Sequence, residues 1–173
     1  MTEPIGHPGL AEFGETIFAE MSALAVRTNA LNLGQGFPDT DGPDEVLQAA
    51  VTALTSGRNQ YPPLPGELDL RQAVAEHQQR FWDLTFDPAT EVLVTAGATE
   101  ALAASLLAFV RPGDEVVMFE PYYDSYAAGV ALTGGTRKVV TLRPPTDGQV
   151  GFQFDIDELR AAITPKTKVL LLN

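Results

Sequence analysis

The sequence predicts an α/β protein built on a mostly parallel sheet with helices on both faces. Short apolar runs recur along the second half of the chain: Val92-Leu93-Val94-Thr95, Val116-Val117-Met118-Phe119, Lys138 to Leu142 and Val169-Leu170-Leu171-Leu172. Strands buried on both faces read as such near-continuous runs, whereas half-exposed hairpins alternate apolar and polar residues. Segments of helical length separate the runs, and turn residues punctuate them at Arg111-Pro112-Gly113-Asp114 and Gly134-Gly135. The resulting order, β-α-β-α-β-α-β, is that of a parallel sheet whose crossovers are helices.

The elements follow in chain order. Phe13, Ile17, Met21 and Leu24 recur at three- and four-residue spacing and predict an amphipathic helix from Glu12 to Thr28. Leu31-Asn32-Leu33-Gly34-Gln35-Gly36-Phe37-Pro38-Asp39 is too rich in glycine and proline for a regular helix. Asp41-Gly42-Pro43 opens a helix to about Thr55, with Asp44 and Glu45 favouring its positive end. The loop Gly57 to Gly66 holds three prolines that fix φ, so it should be rigid around them. A helix from Glu67 to about Phe81 follows, and Asp87-Pro88 turns the chain into the first apolar run. Ala96-Gly97-Ala98-Thr99-Glu100 turns into a helix over Ala101 to Val110, and a further helix covers Tyr122 to Leu132. Pro144-Pro145-Thr146-Asp147-Gly148 begins an irregular excursion. Asp155, three residues before Glu158, predicts a capping box for a helix from Asp157 to Ile163.

Composition narrows the function classes. The chain has 173 residues, 45% of them hydrophobic, enough for a substantial core. Its formal charge of -12 repels phosphate backbones and argues against nucleic acid as a partner, though not against a small anion in a local pocket. There is no cysteine, hence no disulfide and no thiolate chemistry, which fits a reducing cytoplasmic setting. Met1-Thr2-Glu3-Pro4 lacks the basic and apolar character of a signal peptide. The apolar stretch from Ala101 to Val110 is too short to cross a bilayer, so no membrane role is expected.

Two places carry chemistry. The turn Gly97-Ala98-Thr99 enters a helix whose first amides lack helical partners, with a hydroxyl and a glycine alongside, which together make a phosphate seat. Many ordinary strand–helix turns share this composition. It is neither a dinucleotide fingerprint nor a P-loop. Phe119-Glu120-Pro121-Tyr122-Tyr123-Asp124 follows the next strand, and strand ends in parallel sheets face a common crevice. A tyrosine there serves packing or stacks on a planar ligand. Seat and ring together suggest a flat phosphorylated cofactor, with FMN, nucleotides and pyridoxal phosphate all admissible on these grounds.

Other residues read as structural. His7 lies in an irregular exposed start and His77 on a solvated helix face, and no third ligand makes a metal site. Ser22, Ser56 and Ser105 lie in or at the ends of helices, outside any nucleophile elbow. Asp155 and Asp157 look like a helix cap, and Lys138, Lys166 and Lys168 like surface amines.

Four stretches in register carry a resemblance: Leu33-Gly34-Gln35-Gly36-Phe37-Pro38-Asp39, Gln60-Tyr61-Pro62-Pro63-Leu64-Pro65-Gly66, Val94-Thr95-Ala96-Gly97-Ala98-Thr99-Glu100-Ala101 and Glu120-Pro121-Tyr122-Tyr123-Asp124. The chain resembles class I/II aminotransferases, pyridoxal-phosphate enzymes of fold type I, in the branch of kynurenine–oxoglutarate transaminases and N-succinyldiaminopimelate aminotransferases. The resemblance implies that Gly97, Ala98 and Thr99 hold the cofactor phosphate and that Tyr123 stacks on its ring. It implies that Tyr61 reaches the phosphate of a neighbouring subunit in a homodimer and that Gly36 lies by the substrate carboxylate. Asn173 resembles the first asparagine of an Asn-x-Pro-x-Asn-Pro segment that approaches the cofactor. Residues 1–40 would form an arm and part of a small domain, and residues 41–173 the first half of the large cofactor-binding domain. Amino acids and 2-oxo acids would be the substrates.

The family also needs a lysine that carries the cofactor, an aspartate under its ring nitrogen and an arginine for the substrate carboxylate. In the family all three come from later in the chain, and Lys138, Lys166, Lys168 and the arginines here do not match them. The 173 residues are thus expected to be the front part of a longer protein and inert alone. In the family fold, other strands part Val92–Thr95 from the three strands that follow it here, so the isolated chain should expose apolar strand edges and aggregate. The alternatives are a pyridoxal-phosphate β-lyase on the same scaffold, a non-catalytic aminotransferase-like domain, or, at the level of fold alone, a nucleotide-binding Rossmann protein.

Overall fold

A computed structural model describes residues 6–36, 38, 40–146, 148 and 150–173. The start Met1-Thr2-Glu3-Pro4, Phe37 and Asp39 of the glycine-rich stretch, and Asp147 of the later excursion lie outside the described residues. Contacts divide the chain into two compact units: Phe18–Thr95, and Met1–Ile17 together with Ala96–Asn173.

The Phe18–Thr95 unit is helical. Its helices are α1 (Ile17–Thr28), α2 (Asp44–Thr55) and α3 (Leu68–Trp82). α1 starts later than the apolar spacing predicts. Gly14 disfavours a helical start, and the residues before it belong to the sheet-bearing unit, where Arg137 lies 3.2 Å from Glu12 and 5.7 Å from the Phe13 ring centroid. α2 carries Asp44 and Glu45 in its first turn as expected, with Pro43 at the N-cap. α3 ends at Asp83, whose left-handed backbone (φ 54°) lets its amide reach the Gln78 and Gln79 carbonyls.

Among the described residues of this unit, Arg71 of α3 is the buried charge. Its Nε donates to the Gly66 carbonyl at 3.1 Å, and its Nη1 donates to the carbonyls of Pro88 and of Ala89, the latter at 3.1 Å. A guanidinium offers five donors in a fixed fork, so one side chain ties the proline-rich loop to the turn after Asp87. The turn is itself closed by Asp87, which accepts from the Ala89 amide and the Thr90 hydroxyl, both at 2.8 Å. Those two hydrogen bonds, the Ala89 one foremost, hold the Asp87 carboxyl below the usual carboxylate range.

Val92–Thr95 does not form the strand that its composition predicts. Among the described residues it joins no ladder, and its Val94 amide donates instead to the Pro65 carbonyl at 3.0 Å. An apolar run signals burial, but a strand also needs a neighbouring strand in register, and among the described residues this run is laddered to none.

The second unit holds β1 (Glu115–Glu120), β2 (Thr136–Thr141) and β3 (Thr167–Leu171) in the order β2-β1-β3, with both pairings parallel. α4 (Gly97–Phe109) precedes β1, α5 (Asp124–Leu132) connects β1 to β2, and α6 (Ile156–Ala162) connects β2 to β3. Successive strand residues face opposite sides, and Val116, Val117 and Met118 are all fully buried, so β1 is covered on both faces. On one face Val116 clusters with Leu106 within α4, Val110 just after it and Val130 of α5, and Val169 of β3 packs against them. Each such aliphatic side chain contributes about 1.5–3 kcal/mol on burial.

α4 begins at Gly97 rather than Ala101, and α5 at Asp124 with Tyr123 as its N-cap. The predicted capping box of α6 is half formed. Asp155 accepts from the Asp157 amide, but Glu158 turns to β2, accepting from the Thr141 amide at 3.2 Å and from Arg143 at 2.9 Å. These bonds, the Thr141 one first, hold the Glu158 carboxyl below its usual range. His7 is not merely irregular chain: its Nδ1 accepts from Gly9 at 3.1 Å and caps a short 3-10 turn, Pro8–Leu10.

Candidate cofactor site

The residues that the sequence singles out divide between the two units. In the sheet-bearing unit, Gly97 opens α4 with a φ of 83°, a backbone that a side chain strains. Nothing lies within 4 Å of where its β-carbon would be, and Gly97, Ala98 and Thr99 are exposed. The Glu100 carboxylate, one turn on, accepts from the Ala96 amide at this helix end. The candidate anion donors at this positive end of the α4 dipole are first-turn backbone amides, such as those of Ala98 and Thr99, and the Thr99 hydroxyl.

Tyr123 follows β1 and is 48% exposed. Its centroid lies 6.0 Å from that of Tyr126, with the rings inclined at 57°. Asn173 follows β3, and its Oδ1 accepts a 2.9 Å hydrogen bond from the Tyr126 hydroxyl. Sequence reasoning missed Tyr126. The available signal was its position three residues after Tyr123, in the first turn of the helix that Tyr123 precedes.

In the other unit, Tyr61 is fully exposed at the tip of the proline-rich loop. The base of the loop is fastened by Asn59, which donates to the Leu54 carbonyl at 2.8 Å, by Gly66, whose amide reaches the Pro63 carbonyl at 2.8 Å, and by Arg71. Gly36 is exposed, with open space where a β-carbon would be. Lys138 is paired with Glu115 at 3.6 Å, and Lys166 and Lys168 are exposed. His77 packs its ring 4.6 Å from Phe81 on an exposed part of α3. Among the described residues no cluster of three or more metal-ligand side chains occurs, and no helix is long and apolar enough to cross a membrane.

A helix N-terminus with a hydroxyl, a half-exposed aromatic ring and a hydrogen-bonded carboxamide all belong to the sheet-bearing unit, and they are the kinds of group that a flat phosphorylated ring compound needs. The family model for class I and II aminotransferases matches residues 28–173, and the chain belongs to that family. A probable N-succinyldiaminopimelate aminotransferase, DapC, of Mycobacterium tuberculosis is 54% identical over 164 residues, which cover 95% of this chain and 41% of that protein. A methionine aminotransferase of Escherichia coli is 44% identical over the same shares of both chains. Kynurenine–oxoglutarate transaminases are also among the relatives. The solved N-succinyldiaminopimelate aminotransferase of Mycobacterium tuberculosis superposes with a TM-score of 0.88 at 52% identity, over 95% of this chain and 42% of that one. The chain thus spans about two-fifths of the length of these relatives. It is a partial α/β version of the fold type I architecture of such enzymes.

Proposed function

We propose that the complete protein carrying this chain is an aminotransferase that moves an amino group from an amino acid to a 2-oxo acid by means of pyridoxal phosphate. The observation that carries the reading is the exposed start of α4, where Gly97 takes a left-handed backbone beside the Ala98 and Thr99 donors. These residues fit the phosphate. The half-exposed ring of Tyr123 fits one face of the heterocycle, and Asn173, held by Tyr126, supplies a fixed polar group.

Bound there, the cofactor supplies an electron sink for the substrate's α-carbon. The chain's own residues hold and orient. The α4 amides and the Thr99 hydroxyl anchor the phosphate. Tyr123 covers one ring face and keeps water from it. Tyr61, on a loop fastened at its base, is offered to the phosphate site of a second copy in a homodimer. Gly36 leaves room near the substrate carboxylate. The proton-moving lysine is assigned to none of Lys138, Lys166 and Lys168, the first of which is engaged by Glu115.

In the same proposal, residues 1–40 are an arm with part of a small domain, and residues 41–173 the first half of the large domain. A cytoplasmic setting is supported by the lack of cysteine. Amino donors to test first are those in the relatives' names, N-succinyldiaminopimelate and methionine. The purified complete protein, loaded with pyridoxal phosphate, should transfer the amino group of one of them to 2-oxoglutarate and form glutamate. Release of ammonia with no glutamate would instead favour a lyase.

A further inference from the structure

We infer that Tyr126 is a positioning residue for the cofactor site, acting through Asn173 and steadying Tyr123. This rests on the reading that Asn173 and Tyr123 contact pyridoxal phosphate. Tyr126 lies on α5, one turn after Tyr123, and its ring stands 6.0 Å from that of Tyr123. Its hydroxyl reaches out of α5 to the residue that follows β3, donating to Asn173 Oδ1 at 2.9 Å.

The bond has a chemical consequence. A primary carboxamide is close to symmetric in shape but not in hydrogen bonding, with an acceptor on one side and two donors on the other. A phenolic donor on Oδ1 selects one of its two orientations. The Nδ2 side is then turned away from Tyr126, so Asn173 offers donors rather than an acceptor to whatever it faces. Without the hydroxyl, the exposed amide rotates between orientations and the donor face is presented only part of the time. Tyr126 needs no contact with the cofactor for this. Its ring, which packs near Tyr123, is a separate contribution that phenylalanine would retain.

The test uses the complete protein, stripped of cofactor and titrated with pyridoxal phosphate, as wild type, Tyr126→Phe, Asn173→Ala and the double variant. Losing one neutral hydrogen bond should weaken cofactor binding by roughly 3–10-fold in Tyr126→Phe. Asn173→Ala should lose at least as much, and the double variant should match Asn173→Ala within about twofold, because the hydroxyl then has nothing to orient. The absorbance band of the bound cofactor should move in the same sense in both single variants. The thermal midpoint of the cofactor-free protein should fall only slightly in Tyr126→Phe, which keeps the ring and loses one exposed hydrogen bond. Wild-type affinity and spectrum in Tyr126→Phe beside an impaired Asn173→Ala would overturn the inference alone. So would losses that multiply in the double variant. A neutral Asn173→Ala would remove Asn173 from the site and overturn both the inference and that part of the functional reading.

Discussion

Gly66 and Val94 meet so closely that a β-carbon on Gly66 would lie 2.6 Å from both Cβ and Cγ2 of Val94. Gly66 also has a φ of 95°, which side chains rarely adopt. The contact joins the loop that carries Tyr61 to the segment that runs into the α4 turn. Gly66→Ala should therefore destabilise the protein twice over, by about 1–2 kcal/mol for the left-handed backbone and about 1–3 kcal/mol for the overpacked contact. Urea unfolding measures the sum. Adding Val94→Gly should relieve the contact but not the backbone strain, leaving the pair less than additive.

Arg71→Met removes the donor shared by Gly66, Pro88 and Ala89 while keeping much of the stem volume. Three carbonyls then lose their partner in a largely buried place. A loss of about 2–4 kcal/mol is expected, with earlier proteolytic cleavage in the 57–66 loop than in wild type. Equal stability of the two proteins would show that water replaces the guanidinium without loss.

Glu158 links α6 to β2, and its hydrogen bonds from Thr141 and Arg143 stabilise the carboxylate. A folded-state value below the unfolded one adds stability that is complete at neutral pH and disappears as pH falls through the folded value, below the usual carboxylate range. Asp87 acts in the same direction through Ala89 and Thr90. Glu158→Gln should lower the thermal midpoint at pH 7 and flatten its fall in acid, leaving the part due to Asp87. Identical pH profiles for the two proteins would contradict this.

Thr99→Val keeps the shape of the α4 start and removes its hydroxyl. Affinity for pyridoxal phosphate should drop by roughly tenfold, while affinity for pyridoxal, which lacks the phosphate, should not change. Equal losses for both compounds would move the phosphate elsewhere.

The 173-residue chain expressed alone should associate. Leu93 is 63% exposed, Leu172 is 70% exposed, and β2 and β3 are open sheet edges. Size-exclusion chromatography with light scattering reads the outcome, and a dispersed monomer with a cooperative melt would refute it.

How much of this was legible beforehand differs by element. β1 was readable because Val116, Val117 and Met118 are apolar on both faces, and only a covered central strand favours that pattern. Val92–Thr95 has the same composition but no ladder, because pairing depends on a neighbour that composition does not reveal. The Asp155 cap is a local bond and was visible in the residue spacing. Glu158 left the expected box for Thr141, a contact made only once β2 and α6 come together. Gly97 and Tyr123 stand out as candidates by residue type and by their place in the predicted strand–helix order. Tyr126 did not, because its importance lies in a bond to Asn173 that only the tertiary arrangement creates.

The central place of β1 has a consequence for biosynthesis. It leaves the ribosome before either neighbour, since β2 and β3 both come later in the chain. At roughly 5–20 residues per second, seconds pass before Thr167–Leu171 exists to close its second side. During that interval the nascent Val116-Val117-Met118 segment has no sheet to shelter in, which makes it the natural landing point for a chaperone on the growing polypeptide.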